Sequence, residues 1–144
     1  MSGRDWRLFG RLHAKLYRRL GGRFVDSVGF GRKVLLLTTT GRKTGAKRTT
    51  PLVYMPYGNA FVVYPSNGGR ETPPAWWLNL QANPEATIQI RRQTQPVRAR
   101  QATEHEYTAL WPQAAAYNPH WRDYARTVTR PIPLILLEGQ ALYP

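Results

Sequence analysis

The chain has 144 residues, of which 42% are hydrophobic, and this length and composition suit one folded domain rather than a disordered chain. Its 21 Lys and Arg residues against 8 Asp and Glu residues give a net charge of +13, which indicates an anionic partner such as nucleic acid, an anionic membrane surface, or a phosphorylated or polycarboxylate ligand. The lack of cysteine excludes disulfides, thiolate metal sites and cysteine nucleophiles, and the three dispersed histidines and sparse carboxylates predict that no metal is bound.

The first predicted element is a basic amphipathic helix at residues 4–20. Apolar and basic residues each recur there at three- and four-residue intervals on opposite faces, until Gly21-Gly22 ends the pattern. The helix either packs on its own domain with a solvated basic side or makes a peripheral contact with an anionic membrane, and both interpretations stay open. No apolar stretch is typical of a signal peptide or a membrane span, so we expect a cytoplasmic protein, peripheral to the inner face of the cell membrane in the second interpretation.

The rest of the chain predicts short strands with two or three inserted helices. Six strands are predicted, at residues 34–40, 49–55, 60–65, 86–92, 96–102 and 132–139. The fourth and fifth form a hairpin whose turn we place at Gln93-Thr94-Gln95. Helices are predicted at residues 75–83, at 104–113 after a Thr103–Glu106 capping box, and at 120–126 after Asn118-Pro119.

Mostly antiparallel strands with inserted helices predict an α+β fold, in the form of a small barrel. We assign residues 1–30 to the N-terminal helix and its connector, and residues 31–144 to the barrel, within a single domain overall. The sequence does not indicate an oligomeric state.

The most distinctive motif is GRKTGAKR at residues 41–48, in the turn between the first two predicted strands. Its two glycines permit a tight turn that leaves backbone N–H groups open to an anion. Its side-chain donors are Arg42, Lys43, Thr44, Lys47 and Arg48. This composition favours binding of a phosphate or carboxylate group, although a solvated basic hairpin tip has the same residues. The glycine spacing matches neither a Walker loop nor a Rossmann fingerprint.

Three further segments each have a structural and a functional interpretation. After the third predicted strand, Ser66-Asn67-Gly68-Gly69 is either an ordinary turn or bare backbone that a planar ligand can approach closely. In the following helix, Trp76 is expected in the core and Asn79 is an orienting polar group. Later aromatic residues with interspersed arginines either stack nucleic-acid bases, line an apolar substrate pocket or pack under a short helix. These aromatic residues are Trp111, Tyr117, Trp121 and Tyr124.

The sequence lacks the motifs of enzymes that work without a cofactor. It has no nucleophile elbow, no histidine in a triad context and no paired carboxylates suited to acid–base catalysis. If the protein is an enzyme, the reactive group therefore belongs to a bound cofactor, and the protein supplies orientation and electrostatics.

In their order and spacing, these segments resemble the deazaflavin-dependent nitroreductases, an actinobacterial family of F420H2-dependent oxidoreductases. The matching segments are LLTTTGRKTGAKRTTPLVYM, YPSNGG, PPAWWLNLQANPEATIQI and IPLILLEG. The resemblance extends over residues 34–138 and implies a split β-barrel of the FMN-binding type that uses reduced coenzyme F420, whose tail carries a phosphate and several glutamates. It also implies hydride transfer from this coenzyme to an electron-poor small molecule, such as a quinone, an enone or a nitroaromatic compound.

The resemblance implies roles for individual residues. Those expected around the phosphate and the tail carboxylates are Arg42, Lys43, Thr44, Gly45, Lys47 and Arg48. Those expected along the coenzyme and beside its ring are Thr50, Pro51, Ser66, Asn67, Gly68, Gly69, Trp76 and Asn79. Those expected in the substrate pocket are Asn118, Trp121 and Tyr124. Protonation is expected from solvent or from Tyr124, the candidate catalytic residue.

The resemblance leaves the acceptor and two other functions open. The nitroimidazole-activating member of the family has lysine at the position of Asn67 and tyrosines at those of Asn118 and Trp121, so activity on nitroimidazoles is not implied. An FMN-binding oxidoreductase on the same barrel would need a similar basic turn for its phosphate. A non-enzymatic nucleic-acid-binding domain would explain the net charge, and nucleic acid is the least favoured of these partners.

Overall fold

The computed structural model describes residues 33–139, so the helix predicted at residues 4–20 lies outside the described residues. Within this range the chain forms six strands and three α-helices. The strands are β1 (Lys33–Thr40), β2 (Lys47–Tyr57), β3 (Ala60–Val63), β4 (Glu85–Ile90), β5 (Gln93–Gln101) and β6 (Ile135–Gly139). The helices are α1 (Ala75–Ala82), α2 (Glu104–Tyr117) and α3 (Pro119–Thr127). None of these helices is both long and apolar enough to cross a bilayer.

The six strands close into one barrel in the order β1-β2-β3-β6-β5-β4, and each neighbouring pair is antiparallel. β1 lies between β2 and β4, with Leu37 opposite Thr50 on one side and opposite Ile88 on the other. Each of these six strands thus pairs with a neighbour on both sides, which closes the sheet into a barrel. The predicted α+β fold and its split-barrel architecture are confirmed.

The first hydrophobic core fills the interior of the barrel. Successive side chains of a strand point to opposite faces, so alternate apolar residues line the inside. The strand residues of this core include Leu35, Leu37, Val63, Ile88, Val97, Ile135 and Leu137. α1 contributes Trp76, Trp77 and Leu80, and this packing fixes the helix against the barrel beside the end of β1.

The second core joins α2 and α3 to the other face of β3 and β6. Its members include Val62, Tyr64, Leu110, Ala114, Trp121, Leu134 and Leu136. The predicted capping box opens α2, because the Thr103 hydroxyl accepts a hydrogen bond from Glu106 N–H at 3.2 Å and the Glu106 carboxylate accepts one from Thr103 N–H at 2.9 Å. Asn118 caps α3 by accepting a hydrogen bond from His120 N–H at 3.2 Å, with Pro119 in the first turn.

The turn of the β4–β5 hairpin lies at Arg91-Arg92, so its predicted position at Gln93-Thr94-Gln95 is wrong. Ile90 pairs with Gln93 across the hairpin, which leaves a loop of two residues. Arg91 adopts a left-handed conformation, with φ 56°, that such a two-residue loop requires. The composition of Gln93, Thr94 and Gln95 is typical of a loop, but these residues pair with Ile90, Gln89 and Ile88 of β4.

Several other predicted boundaries differ from the structure by a few residues, and two of these differences have a clear physical reason. α2 continues past residue 113 to Tyr117, although Pro112 lies inside it, because the last turn places Ala114 in the second core. The last strand begins at Ile135 rather than at residue 132. Pro131 and Pro133 have no backbone N–H to donate to a ladder, which disfavours strand pairing at this end.

Candidate functional site

A cavity of about 610 Å³ lies between β2, the basic turn after β1, the loop after β3 and the start of α1. Nine of the residues predicted to bind a coenzyme line it: Arg42, Lys43, Thr44, Arg48, Thr50, Asn67, Gly68, Trp76 and Asn79. The other five lie close in sequence but are not part of its wall: Gly45, Lys47, Pro51, Ser66 and Gly69. Several wall residues are not among those predicted to bind the coenzyme, including Thr39, Gly41, Thr49, Leu52 and Ala75.

The basic turn is closed by its own backbone. Gly41 N–H donates to the Ala46 carbonyl at 2.7 Å, and Gly45 N–H donates to the Gly41 carbonyl at 2.8 Å. A Cβ at Gly41 would lie 3.0 Å from the Ala46 carbonyl oxygen, and Gly45 has φ 74°, so both positions favour glycine. The turn is therefore compact, and its middle residues project toward the cavity.

Asn79 anchors this turn to α1. Its side chain is 4% exposed, and its amide oxygen accepts a hydrogen bond from Arg42 N–H at 3.1 Å. Its amide nitrogen donates to Thr39 Oγ1 at 3.1 Å. The orienting role expected of Asn79 thus takes a specific form: a buried amide on the helix sets the position of the turn relative to β1.

The turn presents an electropositive surface with free donors. Among the described residues, the N–H groups of Lys43 and Thr44 have no hydrogen-bond partner. Arg42, Lys43 and Arg48 line the cavity, and the described part of its wall contains no Asp or Glu. Consecutive N–H groups without partners beside several cations favour the binding of an anion.

Four carboxylates of the described residues pair with cations away from the cavity. Arg98 pairs with Glu85 near the start of β4, and Arg122 lies 3.9 Å from Asp123 on α3. Arg100 pairs with Glu106 and Glu138 at the other side of the barrel. The hydrogen bonds from Arg100 are the main reason that the pKa of Glu106 is lowered to about 2. The basic charge at the cavity is therefore not compensated by these pairs.

Of the four cations in the basic motif, Lys47 alone does not line the cavity. Its Nζ donates to Thr40 Oγ1 at 3.0 Å, across the β1–β2 pair in which these two residues are partners. The side chain follows the strand face opposite to that of its neighbour Arg48, because successive residues alternate. The expected role of Lys47 at the tail carboxylates stays a prediction.

The loop after β3 forms the wall opposite the basic turn. Asn67, Gly68 and Gly69 all have positive φ, at 49°, 63° and 83°, so three successive residues hold a conformation that favours glycine. Asn67 and Gly68 reach the cavity, whereas Gly69 faces α3. A Cβ at Gly69 would lie 2.9 Å from Thr127 Oγ1 and 3.2 Å from Tyr124 Cδ1. This glycine therefore permits the loop and α3 to approach closely.

The three residues predicted to bind substrate all belong to α3 or its cap, and none lines the cavity. Asn118 is buried and used as the helix cap. Trp121 is buried in the second core, with its ring 5.7 Å from that of Tyr64. Tyr124 is half-buried, with its ring against Gly69 and 6.3 Å from the ring of His120. Their substrate contacts stay predictions.

Tyr64 and Arg130 are two residues of this region that are not among the predicted coenzyme or substrate residues. Tyr64 directly follows β3 and lines the cavity, and burial raises the pKa of its phenol well above the usual range. Its hydroxyl hydrogen-bonds Tyr107, so it is neutral and satisfied inside the second core. Arg130 donates to carbonyl oxygens of the loop after β3. The spacing of aromatic residues and arginines in the sequence does not predict the contact between Tyr64 and Tyr107, nor the contacts between Arg130 and the loop carbonyls.

Comparisons with known proteins agree on one group of enzymes. A family model described as "F420H(2)-dependent quinone reductase" matches residues 8–139. The F420H(2)-dependent quinone reductase Rv1261c of Mycobacterium tuberculosis is 35% identical over 130 residues, which is 88% of this chain and 87% of the relative. The putative F420H(2)-dependent quinone reductase Rv3178 of the same species is 35% identical over 119 residues, which is 83% of this chain and 97% of the relative. A solved F420-H2 dependent reductase, FDR-A, has a TM-score of 0.67 at 31% identity, over 74% of this chain and 95% of that one.

Proposed function

Because the chain belongs to the F420H(2)-dependent quinone reductase family, we propose that the cavity beside α1 holds coenzyme F420 and that the electron acceptor is a quinone-type small molecule. The protein is thus an F420-dependent oxidoreductase, and the expected resemblance to this group is confirmed. When bound, the reduced coenzyme supplies the hydride. The family also favours coenzyme F420 over FMN.

The observation that carries the assignment of the cavity is the open anion site at the basic turn. The coenzyme's tail combines a phosphate with several carboxylates, and the turn offers the free N–H groups of Lys43 and Thr44 together with three cations. Arginine binds phosphate or carboxylate through two parallel hydrogen bonds, and lysine acts as a point charge. We assign the phosphate to Lys43, Thr44 and Arg42 and the tail carboxylates to Arg48.

The opposite side of the cavity suits a planar ring. Gly68 presents bare backbone there, and Trp76 and Leu52 supply apolar surface. The chain's contribution to the reaction is then to hold ring and acceptor in contact and to exclude water, which lowers the entropic part of the barrier. Tyr124, whose ring lies against Gly69, is our candidate proton donor to the reduced acceptor.

A direct test is titration of the full chain with coenzyme F420, with coenzyme fluorescence as the signal. We expect saturable binding at micromolar coenzyme, and oxidation of the reduced coenzyme when menadione is added. A parallel titration with FMN should show weaker binding. If micromolar coenzyme F420 does not bind, or if FMN binds more tightly, the proposal is wrong.

We also propose that the chain is cytoplasmic and contacts the anionic inner surface of the membrane through residues 4–20. The support is the sequence pattern alone, in which aromatic and basic residues occupy opposite faces of a helix. Co-sedimentation with anionic liposomes, with and without residues 1–22, tests this contact. Equal sedimentation of the two forms would refute it.

A further inference from the structure

Arg130 ties down the loop that forms one wall of the cavity. Its Nε donates to the Arg70 carbonyl at 3.1 Å. Its Nη2 donates to the carbonyls of Pro65 and Ser66, at 3.2 Å and 3.1 Å. These three acceptors stand on both sides of residues 67–69, so one guanidinium holds the two ends of the loop together.

A second tether links the same two segments. The Glu71 carboxylate accepts hydrogen bonds from Thr129 N–H and from Thr129 Oγ1, both at 2.9 Å. Between the two tethers, Gly69 packs against the last turn of α3. The segment that leaves α3 therefore contacts the loop at its start, its middle and its end.

The loop needs such external support because of its backbone conformation. Three consecutive residues with positive φ include Asn67, for which this region is less favourable than for glycine. Conformations of this kind persist where surrounding contacts over-determine them. The loop's own hydrogen bonds are local: Gly69 N–H donates to the Ser66 carbonyl at 3.0 Å, Arg70 N–H to the Asn67 carbonyl at 3.2 Å, and Asn67 Nδ2 to the Thr72 carbonyl at 2.9 Å.

The chemistry of Arg130 fits a role in positioning. Among the described residues, no carboxylate lies within 4.0 Å of its guanidinium, and its hydrogen bonds are all to backbone carbonyls. A planar guanidinium has donors on three nitrogens in fixed directions, whereas the donors of an ammonium all diverge from one nitrogen and match three separated carbonyls less well. Hydrogen bonds from a charged donor are also stronger than those between neutral groups.

We propose that Arg130 is a positioning residue of the enzyme: it sets the loop so that Asn67 and Gly68 face the coenzyme ring, and it couples the loop to α3. This inference rests on the proposed function of the cavity. It extends the site to a residue that follows α3 in the chain and is not itself among the residues that line the cavity.

Two variants and one control test this role. Arg130→Met removes all three hydrogen bonds. Arg130→Lys keeps the positive charge but not the planar arrangement of donors. Arg126→Met is the matched control, because Arg126 is exposed on the last turn of α3 and has no ion pair among the described residues. Each full-length variant is compared with the wild type well below its melting temperature, so that folding does not limit the signal.

The first measurement needs no coenzyme. Trypsin cleaves the bond between Arg70 and Glu71, and the Arg70 carbonyl is one of the three acceptors of Arg130. We expect cleavage of this bond, followed by mass spectrometry, to be at least roughly tenfold faster in Arg130→Met, with a smaller increase in Arg130→Lys. The Arg126→Met control should cleave there at the wild-type rate.

The second measurement separates positioning from plain stability. We expect Arg130→Met to bind coenzyme F420 roughly tenfold more weakly and to have a lower kcat at saturating coenzyme, with Arg130→Lys intermediate. Unchanged affinity and kcat alongside faster cleavage would show a purely structural tether and overturn the proposal. Unchanged cleavage would overturn it as well. Failure of the proposed function is distinct, since then the wild type itself does not bind coenzyme.

Should Arg130→Met fail to fold, Arg130→Lys carries the same test. It retains the positive charge and part of the hydrogen bonding, so the loop should be loosened without loss of the domain. Wild-type values for both its cleavage rate and its coenzyme affinity would overturn the inference.

Discussion

Replacing Asn79 with leucine tests whether α1 holds the basic turn in place. The side chain is buried and makes two hydrogen bonds, with Arg42 N–H and with Thr39 Oγ1, each at 3.1 Å. Leucine has a similar volume and no polar atoms, so the change removes both bonds with little change in packing. A hydrogen bond contributes about 1 kcal/mol, and the buried Thr39 hydroxyl loses its partner as well, so we expect the free energy of unfolding to fall by about 2–3 kcal/mol.

The same variant should lose coenzyme affinity, because the turn no longer has a fixed position relative to the cavity. Urea denaturation gives the unfolding free energy, and fluorescence titration with coenzyme F420 should show a Kd about tenfold higher, which corresponds to about 1.4 kcal/mol. The matched control is Gln81→Leu, an exposed position on the same helix. If Asn79→Leu destabilises the fold but binds coenzyme like the control, the turn does not depend on Asn79 and the reasoning is refuted.

Three further predictions follow from other contacts. Lys43→Ala should weaken coenzyme binding by about tenfold in a fluorescence titration and should reduce the salt dependence of that binding. The control Arg92→Ala removes the same charge from the β4–β5 turn and should change neither quantity. Equal effects of the two variants would contradict the anion site. In urea denaturation, Gly69→Ala should lower the unfolding free energy by about 1 kcal/mol more than the control Gly58→Ala. Both glycines have positive φ, but only at Gly69 would an added Cβ lie within 4 Å of other atoms. Equal losses would contradict the close approach of α3 to the loop. The pKa of Glu106 is lowered to about 2 in the folded protein, so its ionised carboxylate stabilises the fold above the ordinary pKa of 4.5, and this contribution is lost as pH falls toward 2. The melting temperatures of wild type and Glu106→Gln should therefore differ at pH 7 and converge near pH 2. A difference that does not change with pH would contradict the assignment.

Features that act over a few residues could be predicted from the sequence. The capping box at Thr103 and the cap at Asn118 occur as predicted, because each depends on groups two or three residues apart. The same holds for the tight turn between β1 and β2, where glycine spacing and hydrogen bonding are both local. The alternation of apolar residues was enough to predict strands and a barrel, since it reports which face is buried.

Contacts between distant segments could not be predicted in this way. The bond from Arg42 N–H to Asn79 spans 37 residues, and the bonds from Arg130 to Pro65 and Arg70 span 65 and 60 residues. The periodicity of apolar residues predicts which side of a helix or strand is buried, but it does not predict which polar groups of distant segments form hydrogen bonds with each other. The residues that position the cavity, as opposed to those that line it, are visible only once the strands are paired.

The three residues that the resemblance places around the acceptor all belong to α3 or its cap, and the structure gives them different environments. Asn118 and Trp121 are 3% and 5% exposed, and one is used as the helix cap while the other packs in the second core. Tyr124 keeps part of its surface exposed and lies against Gly69. Part of the Tyr124 side chain is thus accessible with α3 in place, whereas contact with the other two would require α3 to leave the second core. Since deleting a buried tryptophan side chain costs about 3–5 kcal/mol, such displacement is disfavoured. We infer that the residues at positions 118 and 121 affect the choice of acceptor through the packing of α3, and that direct contact falls to Tyr124 and the loop that Arg130 holds.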